Sequence, residues 1–394
     1  MGKLKYLICF STLGIIGLHC KEVYNPPSVK NNPFILVVDG IIINGNESTL
    51  ITLSRTKSLT DSTPTTKELG AKVSVVGQSG ISFPLIELGN GQYATDQLLL
   101  NTAEPYQLKI TTSDNNEFRS EFSKVLSSPP IDSVYWQQDS SGVQIYLDTH
   151  DPANSTRYYR WENVESWEYH SAYNSFLEYV DENNIISRNL TRQIFRCYQT
   201  QLLPNIEVTN TTHLSSDIVY KYKVIDIATG TEKLSVEYSD LIKQYVISAE
   251  AFNYWTNLKK NTEQLGTLFD LQPFTELGNI KCVNNSGVKC IGFISFSSVQ
   301  ERRVFINYKE ITKWNYKPYY NAYGLCVILK EPADSISQFF LPFGGPYGNS
   351  MIGTSLVPAP DPANPPEVVY LFSTNLCVDC TLHGGSTIKP AFWP

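Results

Sequence analysis

Apolar and polar positions alternate along most of this chain. Ile35-Leu36-Val37-Val38 and Ile41-Ile42-Ile43 are apolar runs separated by Asp39-Gly40, and Leu50 to Ser54 and Val73 to Val76 are further strand-like segments. Gly89-Asn90-Gly91 marks a turn ahead of Gln92-Tyr93. Tyr106, Leu108 and Ile110 alternate with polar neighbours, and Ser113-Asp114-Asn115-Asn116 turns the chain into Phe118 to Phe122. Short segments of this kind, broken by Gly, Asn and Asp, predict strands and tight turns. Together they predict a small β-sandwich over residues 34–126.

Ser127-Ser128-Pro129-Pro130 punctuates the pattern and predicts a domain boundary, with a β-rich domain over residues 127–394. Ile131 to Trp136 and Val143 to Leu147 form an alternating pair around Asp139-Ser140-Ser141-Gly142, and Tyr158 to Trp161 leads into another strand. This spacing predicts an immunoglobulin-like or fibronectin-like sandwich. One segment changes period. Phe252, Trp255, Leu258, Thr262 and Leu265 recur at helical spacing, Ser248 suits the cap, Glu250 the first turn, and Gly266 the stop. A helix over about 248–265, packed on the sheet, is predicted. The expected fold is therefore mainly β, two sandwiches with one inserted or appended α-helix.

The opening residues follow a different logic. Lys3 and Lys5 precede an apolar run from Tyr6 to Leu18, and Cys20 stands directly behind it. That is the layout of a signal peptide over residues 1–19. The run is short for a membrane span of roughly 20 residues. A cysteine at the cleavage point marks a lipoprotein, with Cys20 as the lipidation site and residues 20–33 as a Pro-containing tether. His19 departs from this pattern, because a small residue is usual there. An ordinary signal peptide with an incidental cysteine is the competing reading.

Composition supports export and excludes some partners. The chain is rich in Tyr, Phe, Thr, Ser, Val and Asn, which favour strands and turns. Its net charge is −7 and no basic cluster exceeds Arg302-Arg303, which argues against a nucleic-acid partner. Beyond Cys9 and Cys20, six cysteines remain: Cys197, Cys282, Cys290, Cys326, Cys377 and Cys380. An even set in an exported chain reads as disulfides, and six cysteines allow 15 pairings. Local closeness favours Cys282 with Cys290. Cys377 and Cys380 can pair with each other or with Cys197 and Cys326.

Catalytic signals are weak. The histidines beyond the leader are His150, His170, His213 and His383, with no His-Glu-x-x-His and no nucleophile elbow. In Glu162-Asn163-Val164-Glu165-Ser166-Trp167-Glu168, a strand would put Glu162 and Glu168 on one face and Glu165 on the other. Solvated charge on a sheet explains these residues more simply than a glycosidase pair, which needs a defined separation. Cys377-Val378-Asp379-Cys380 with His383 could suit zinc, but a second ligand pair is missing and disulfide bonding is expected. Asp148, Asp151 and Asn154 form an oxygen-rich loop, for which an Asp- and Asn-stabilised turn is a simpler account than calcium. No metal or cofactor is expected.

Two resemblances add to this reading. The order Gly70-Ala71-Lys72-Val73-Ser74-Val75, then Gly91-Gln92-Tyr93, then Tyr106-Gln107-Leu108-Lys109-Ile110 resembles the prealbumin-like regulatory domain of carboxypeptidases. Over almost the whole mature chain the sequence resembles exported Bacteroidota lipoproteins of domain-of-unknown-function family 4249. Leu36 to Gly40 and Leu53 to Thr56, Pro129 to Val134 with Tyr158 to Glu162, and Glu232 to Val236 through Gln244-Tyr245 to Gly278-Asn279-Ile280 carry it. So does the tail Cys377 to Cys380, Gly384-Gly385 and Lys389 to Trp393.

The second resemblance implies a lipid-anchored outer-membrane protein, with Lys21-Glu22 similar to a surface-export signal. It implies a non-enzymatic accessory of a TonB-dependent outer-membrane receptor (SusC-like), in substrate capture or as a structural cover. It also implies O-glycosylation at Asp-(Ser/Thr) sites, and Ser62, Ser133 and Ser335 fit that pattern. A free-standing adhesion or glycan-binding lipoprotein is the alternative, since six tryptophans and 24 tyrosines could stack on sugars. An exported hydrolase ranks third.

Overall fold

A computed structural model describes residues 35–57, 66–181, 184–263, 278–314, 326–340, 347, 350–357 and 367–394. The expected leader and tether, with Cys20, and Ser62 lie outside the described residues.

The first domain begins with β1 (Leu36–Gly40), β2 (Ile42–Ile43), β3 (Thr49–Arg55) and β4 (Lys72–Gly77), followed by β5 (Ser82–Gly89), β6 (Gln92–Thr95), β7 (Tyr106–Thr111) and β8 (Glu117–Ser120). Alternate residues of these strands point inward, as in β4, where Val73 and Val75 are buried. The core joins Leu36, Ile51, Leu53, Tyr93, Leu108 and Phe118. β5 is the corner strand. Its first half pairs with β4 and its second half with β6, with a register irregularity between Glu87 and Gly89 in the second half.

The second domain contains β9 (Ile131–Gln138), β10 (Gly142–Asp151), β11 (Tyr158–His170), β12 (Leu177–Asp181) and β13 (Asn184–Ser187). It continues through β14 (Arg196–Leu202), β15 (Glu207–Asn210), β16 (Asp217–Ala228) and β17 (Glu237–Val246). Sheet β16-β10-β9 faces sheet β14-β11-β17-β21, whose last strand is β21 (Val299–Asn307), with β15 also on β11. This is the strand distribution of the fibronectin-like sandwich expected from the sequence. Tyr159, Trp161, Val143, Ile145, Leu147 and Ile242 fill the space between the sheets. Antiparallel alternation explains why these positions are apolar while their neighbours are polar.

Helix α1 (Ala249–Glu263) follows β17. Ser248 Oγ accepts a hydrogen bond from Ala251 N–H at 3.2 Å, and Ala251, Tyr254 and Trp255 are buried. The expected helix is thus present, packed on β11 and β15.

The chain then does what periodicity did not reveal. β18 (Ile280–Cys282), β19 (Cys290–Ile291) and β20 (Phe296–Ser297) return to the first domain. β20 pairs with β2 as a separate two-stranded sheet, while β18 adds to β8 and β19 to β1, completing a nine-stranded path β18-β8-β7-β4-β5-β6-β3-β1-β19. A bridge between Gly278 and Gly292 joins its two ends, so the sandwich is nearly closed into a barrel. This segment therefore belongs in space to the first sandwich, although in sequence it falls within the domain expected over residues 127–394. Its strands are too short to show alternation, and only their partners define them.

A third sheet combines the strands inserted between β11 and β14 with the end of the chain. Its order is β13-β12-β23-β24-β22, with β22 (Leu329–Pro332), β23 (Ser350–Val357) and β24 (Glu367–Phe372). Ile336, Phe340, Met351 and Phe372 form its core. Among the described residues no helix is long and apolar enough to cross a membrane.

Candidate functional site

Two disulfides hold the end of the chain. Cys197 on β14 is bonded to Cys380, 183 residues away, and Cys326 is bonded to Cys377. Cys377 and Cys380 therefore serve separate bridges, and His383 Nε2 lies 2.8 Å from the Leu376 carbonyl. The expected pairing of Cys282 with Cys290 is corrected, since both are free thiols. Their strands do meet where the barrel closes, but Cys282 Sγ is directed to Asn284 Oδ1 at 3.3 Å and Cys290 Sγ to the Ile291 carbonyl at 3.8 Å. Burial pushes the Cys290 thiol up to about 12.

Beyond the second disulfide the tail clasps the sandwich. Tyr198 and Ser386 exchange both backbone hydrogen bonds, at 2.8 and 2.9 Å. Trp393 is buried edge-on against Tyr198 and Phe305, and the Arg303 guanidinium lies 3.6 Å above the Phe392 ring.

The remaining predicted residues are scattered. Ser133 on β9 donates to Asp148 at 2.7 Å. Ser335 donates to Glu331 at 3.1 Å at the start of a single helical turn. Asp151 closes the loop that follows β10. Burial would raise its carboxyl, but donors from Ser155, Ala153 and Thr156 hold it down at about 2. Asn154 there adopts a left-handed conformation, φ 51°. Asp148 stands apart, accepting from Lys221 N–H at 2.6 Å.

The acidic run on β11 splits between faces as expected, but its charges are not all solvated. Glu168 is nearly buried, beside His170 and Arg196. Glu165 points into the sandwich and is fully buried. Its Oε1 accepts from Gln201 and Lys233, and its Oε2 accepts from the Tyr238 hydroxyl at 3.1 Å. Asp240 stands directly across the β11–β17 ladder. Asp240 is also fully buried, and neither carboxyl oxygen has a hydrogen-bond partner among the described residues. Burial, reinforced by the Glu165 charge, pushes its carboxyl well above the usual range, against the pull of Arg303 and Lys233. A cleft of about 310 Å³ between β16 and the β14–β15 edge leads to Glu165, lined also by Lys233, Asn205, Glu207, Lys223 and Asp226.

The outer face of sheet β16-β10-β9 is different in character. Tyr135 and Tyr146 stack with ring centroids 5.8 Å apart, and Lys221 Nζ lies 5.2 Å from the Tyr146 centroid. Tyr220 is 77 % exposed. The register of β10 on β16 shifts between Leu147 and Thr149, and Lys221 has φ 51°. A bulge of this kind re-aims side chains.

The junction between the first two domains gathers the quoted family segments. Ile41, Ile43 and Tyr245 pack together. Arg160 lies 3.9 Å above the Trp255 ring, and Gln244 donates to the Pro129 carbonyl at 2.7 Å while accepting from Trp161 at 3.0 Å. Asn279 donates to the Ile294 carbonyl and accepts from the Ile294 amide, both at 2.9 Å.

These features define a class of protein: a mainly β chain with a fibronectin-like sandwich at its centre, completed by returning strands and two disulfides. The chain belongs to the family described as Domain of unknown function (DUF4249), whose profile matches residues 21–303. The match covers both sandwiches and ends within β21, so the disulfide-bearing tail lies beyond it. No curated protein matches the chain.

Proposed function

We propose that this chain is an exported outer-membrane lipoprotein, non-enzymatic, that works as an accessory of a TonB-dependent transporter. The observation that carries the reading is the disulfide pair Cys197–Cys380 and Cys326–Cys377. Such bridges persist in an oxidising compartment outside the cytoplasm. The apolar leader ahead of Cys20 would take the chain there, and acylation of Cys20 would hold it. Several acyl chains suffice for stable anchoring, where one binds weakly. The transporter partner follows from the family resemblance.

Fractionation of the native host tests the anchor, and purification in mild detergent tests the partner. Wild-type protein should be acylated, sit in the outer membrane and retain a receptor in stoichiometric amount. Cys20→Ser should be released. An unacylated wild type that stays in the outer membrane would sink the anchor, and a receptor-free monomer would sink the accessory role.

Glycan binding at the surface is the second reading. The exposed Tyr220 and the stacked Tyr135–Tyr146 pair favour it, because sugar rings stack on aromatic faces. Retention of a monomer on a glycan array, lost in Tyr220→Ala, would select this reading over the first.

A further inference from the structure

At the edge of the second sandwich an amine meets one of two buried carboxyl groups that an accessory role does not require. Lys233 belongs to the single helical turn Glu232–Leu234 ahead of β17, and its Nζ contacts Oε1 of Glu165. The Glu165 side chain is 1 % exposed, whereas the Lys233 side chain, on the cleft, is 30 % exposed. The same Nζ lies 5.3 Å from the Trp167 ring centroid, and Leu234, Val224 and Ile225 belong to the surrounding core. An ion pair in such a place loses much of its attraction to the cost of desolvation. Conversion to a neutral amide would remove the buried carboxylate charge from the interior.

We propose that Lys233 and Glu165 condense into an amide, an intramolecular crosslink inside the sandwich. The Nζ–Cδ bond forms and the Cδ–Oε1 bond breaks. The lysine ammonium loses two protons, and Oε1 leaves with them as water. No oxidant, reductant or further reagent is needed.

The surroundings fit each stage. The Tyr238 hydroxyl faces Oε2, where negative charge collects as the tetrahedral intermediate forms. Asp240 stands directly across the ladder from Glu165 without hydrogen-bonding it, and its carboxyl is raised by burial, so it relays a proton to the departing oxygen once its side chain turns towards Oε1. The crosslink would tie β11 to the entry of β17, closing a loop of 68 residues. Unlike the two disulfides, it would survive reduction.

Peptide mapping by mass spectrometry of the full-length protein, reduced and alkylated, tests this. The expected result is a branched tryptic peptide containing both Lys233 and Glu165, lighter by one water than its two linear parts. Lys233→Arg keeps the charge and should give only linear peptides. Asp240→Asn should leave a substantial unlinked fraction, and full linkage in that variant would remove Asp240 from the step. Wild-type protein cleaved normally after Lys233, with Glu165 in an unmodified linear peptide, overturns the proposal. That reading comes from the wild type, so a poorly folding variant cannot mask it. Neither result bears on the membrane anchor or the transporter partner.

Discussion

Gly278 and Gly292 meet backbone to backbone and close the first domain. Gly278 has φ +107°, and a Cβ placed there would lie 1.8 Å from the Gly292 carbonyl oxygen. Gly292 is equally confined, with an added Cβ 2.2 Å from the Val38 carbonyl oxygen. Only glycine allows this approach. Gly278→Ala should therefore destabilise the protein by at least about 2 kcal/mol, combining backbone strain with loss of the bridge. Chemical denaturation of both proteins measures it, and an unchanged midpoint would show that the closure contributes little.

Of the six cysteines among the described residues, Cys282 and Cys290 should be alkylatable in native, unreduced protein and the other four unreactive. Cys282 should react first, because Cys290 is buried and its thiol is pushed up to about 12. Mass mapping after timed alkylation gives the order. Labelling of Cys377 or Cys380 before reduction would contradict the bridges.

Trp393 should act as the clasp of the tail. It is buried against Tyr198 and Phe305, beyond both the Cys197–Cys380 disulfide and the Tyr198–Ser386 bridge. Trp393→Ala should cost about 3 kcal/mol and lower the melting temperature. Phe392→Ala should cost less, since Phe392 is 40 % exposed and held mainly by Arg303. Equal, negligible effects would mean the tail is a docking peptide and not a structural element.

The pH dependence carries two opposite signs. Asp151 is held at about 2, below its ordinary value, so its contribution is complete above about pH 4 and is lost as pH falls towards 2. Asp151→Asn should flatten the acid limb of a melting-temperature profile. His150 is raised by its hydrogen bond to Asp132, 2.7 Å away. Its contribution is complete below about pH 6.5 and is lost as pH rises through the shifted value. An NMR titration should show His150 shifting down in Asp132→Asn, and an unmoved titration would refute the pairing.

The family segments read from the sequence take on a physical meaning in three dimensions. Gln244 with Pro129, and Gly278 with Gly292, lie where the sandwiches join or close. Arg160 covers Trp255 of α1 in the same region. These residues hold the architecture, which explains why they form a recognisable pattern without a catalytic motif.

By itself the sequence determined the local elements. Alternation at Tyr106, Leu108 and Ile110 marks a strand because a half-buried sheet sorts side chains by parity, and Ser248 with Trp255 marks a helix by cap and spacing. The same parity separates Glu165 from Glu162 and Glu168. Parity does not say which face is dry, and charge argued for water. Only the opposing sheet, with Leu234 and Trp167 in its shared core, decided that Glu165 and Asp240 are interior. The return of Ile280–Cys282 and Cys290–Ile291 and the choice of cysteine partners were likewise decided by the tertiary structure. Both depend on which distant segments meet, and a short strand or a lone thiol carries no record of its partner until the chain has packed.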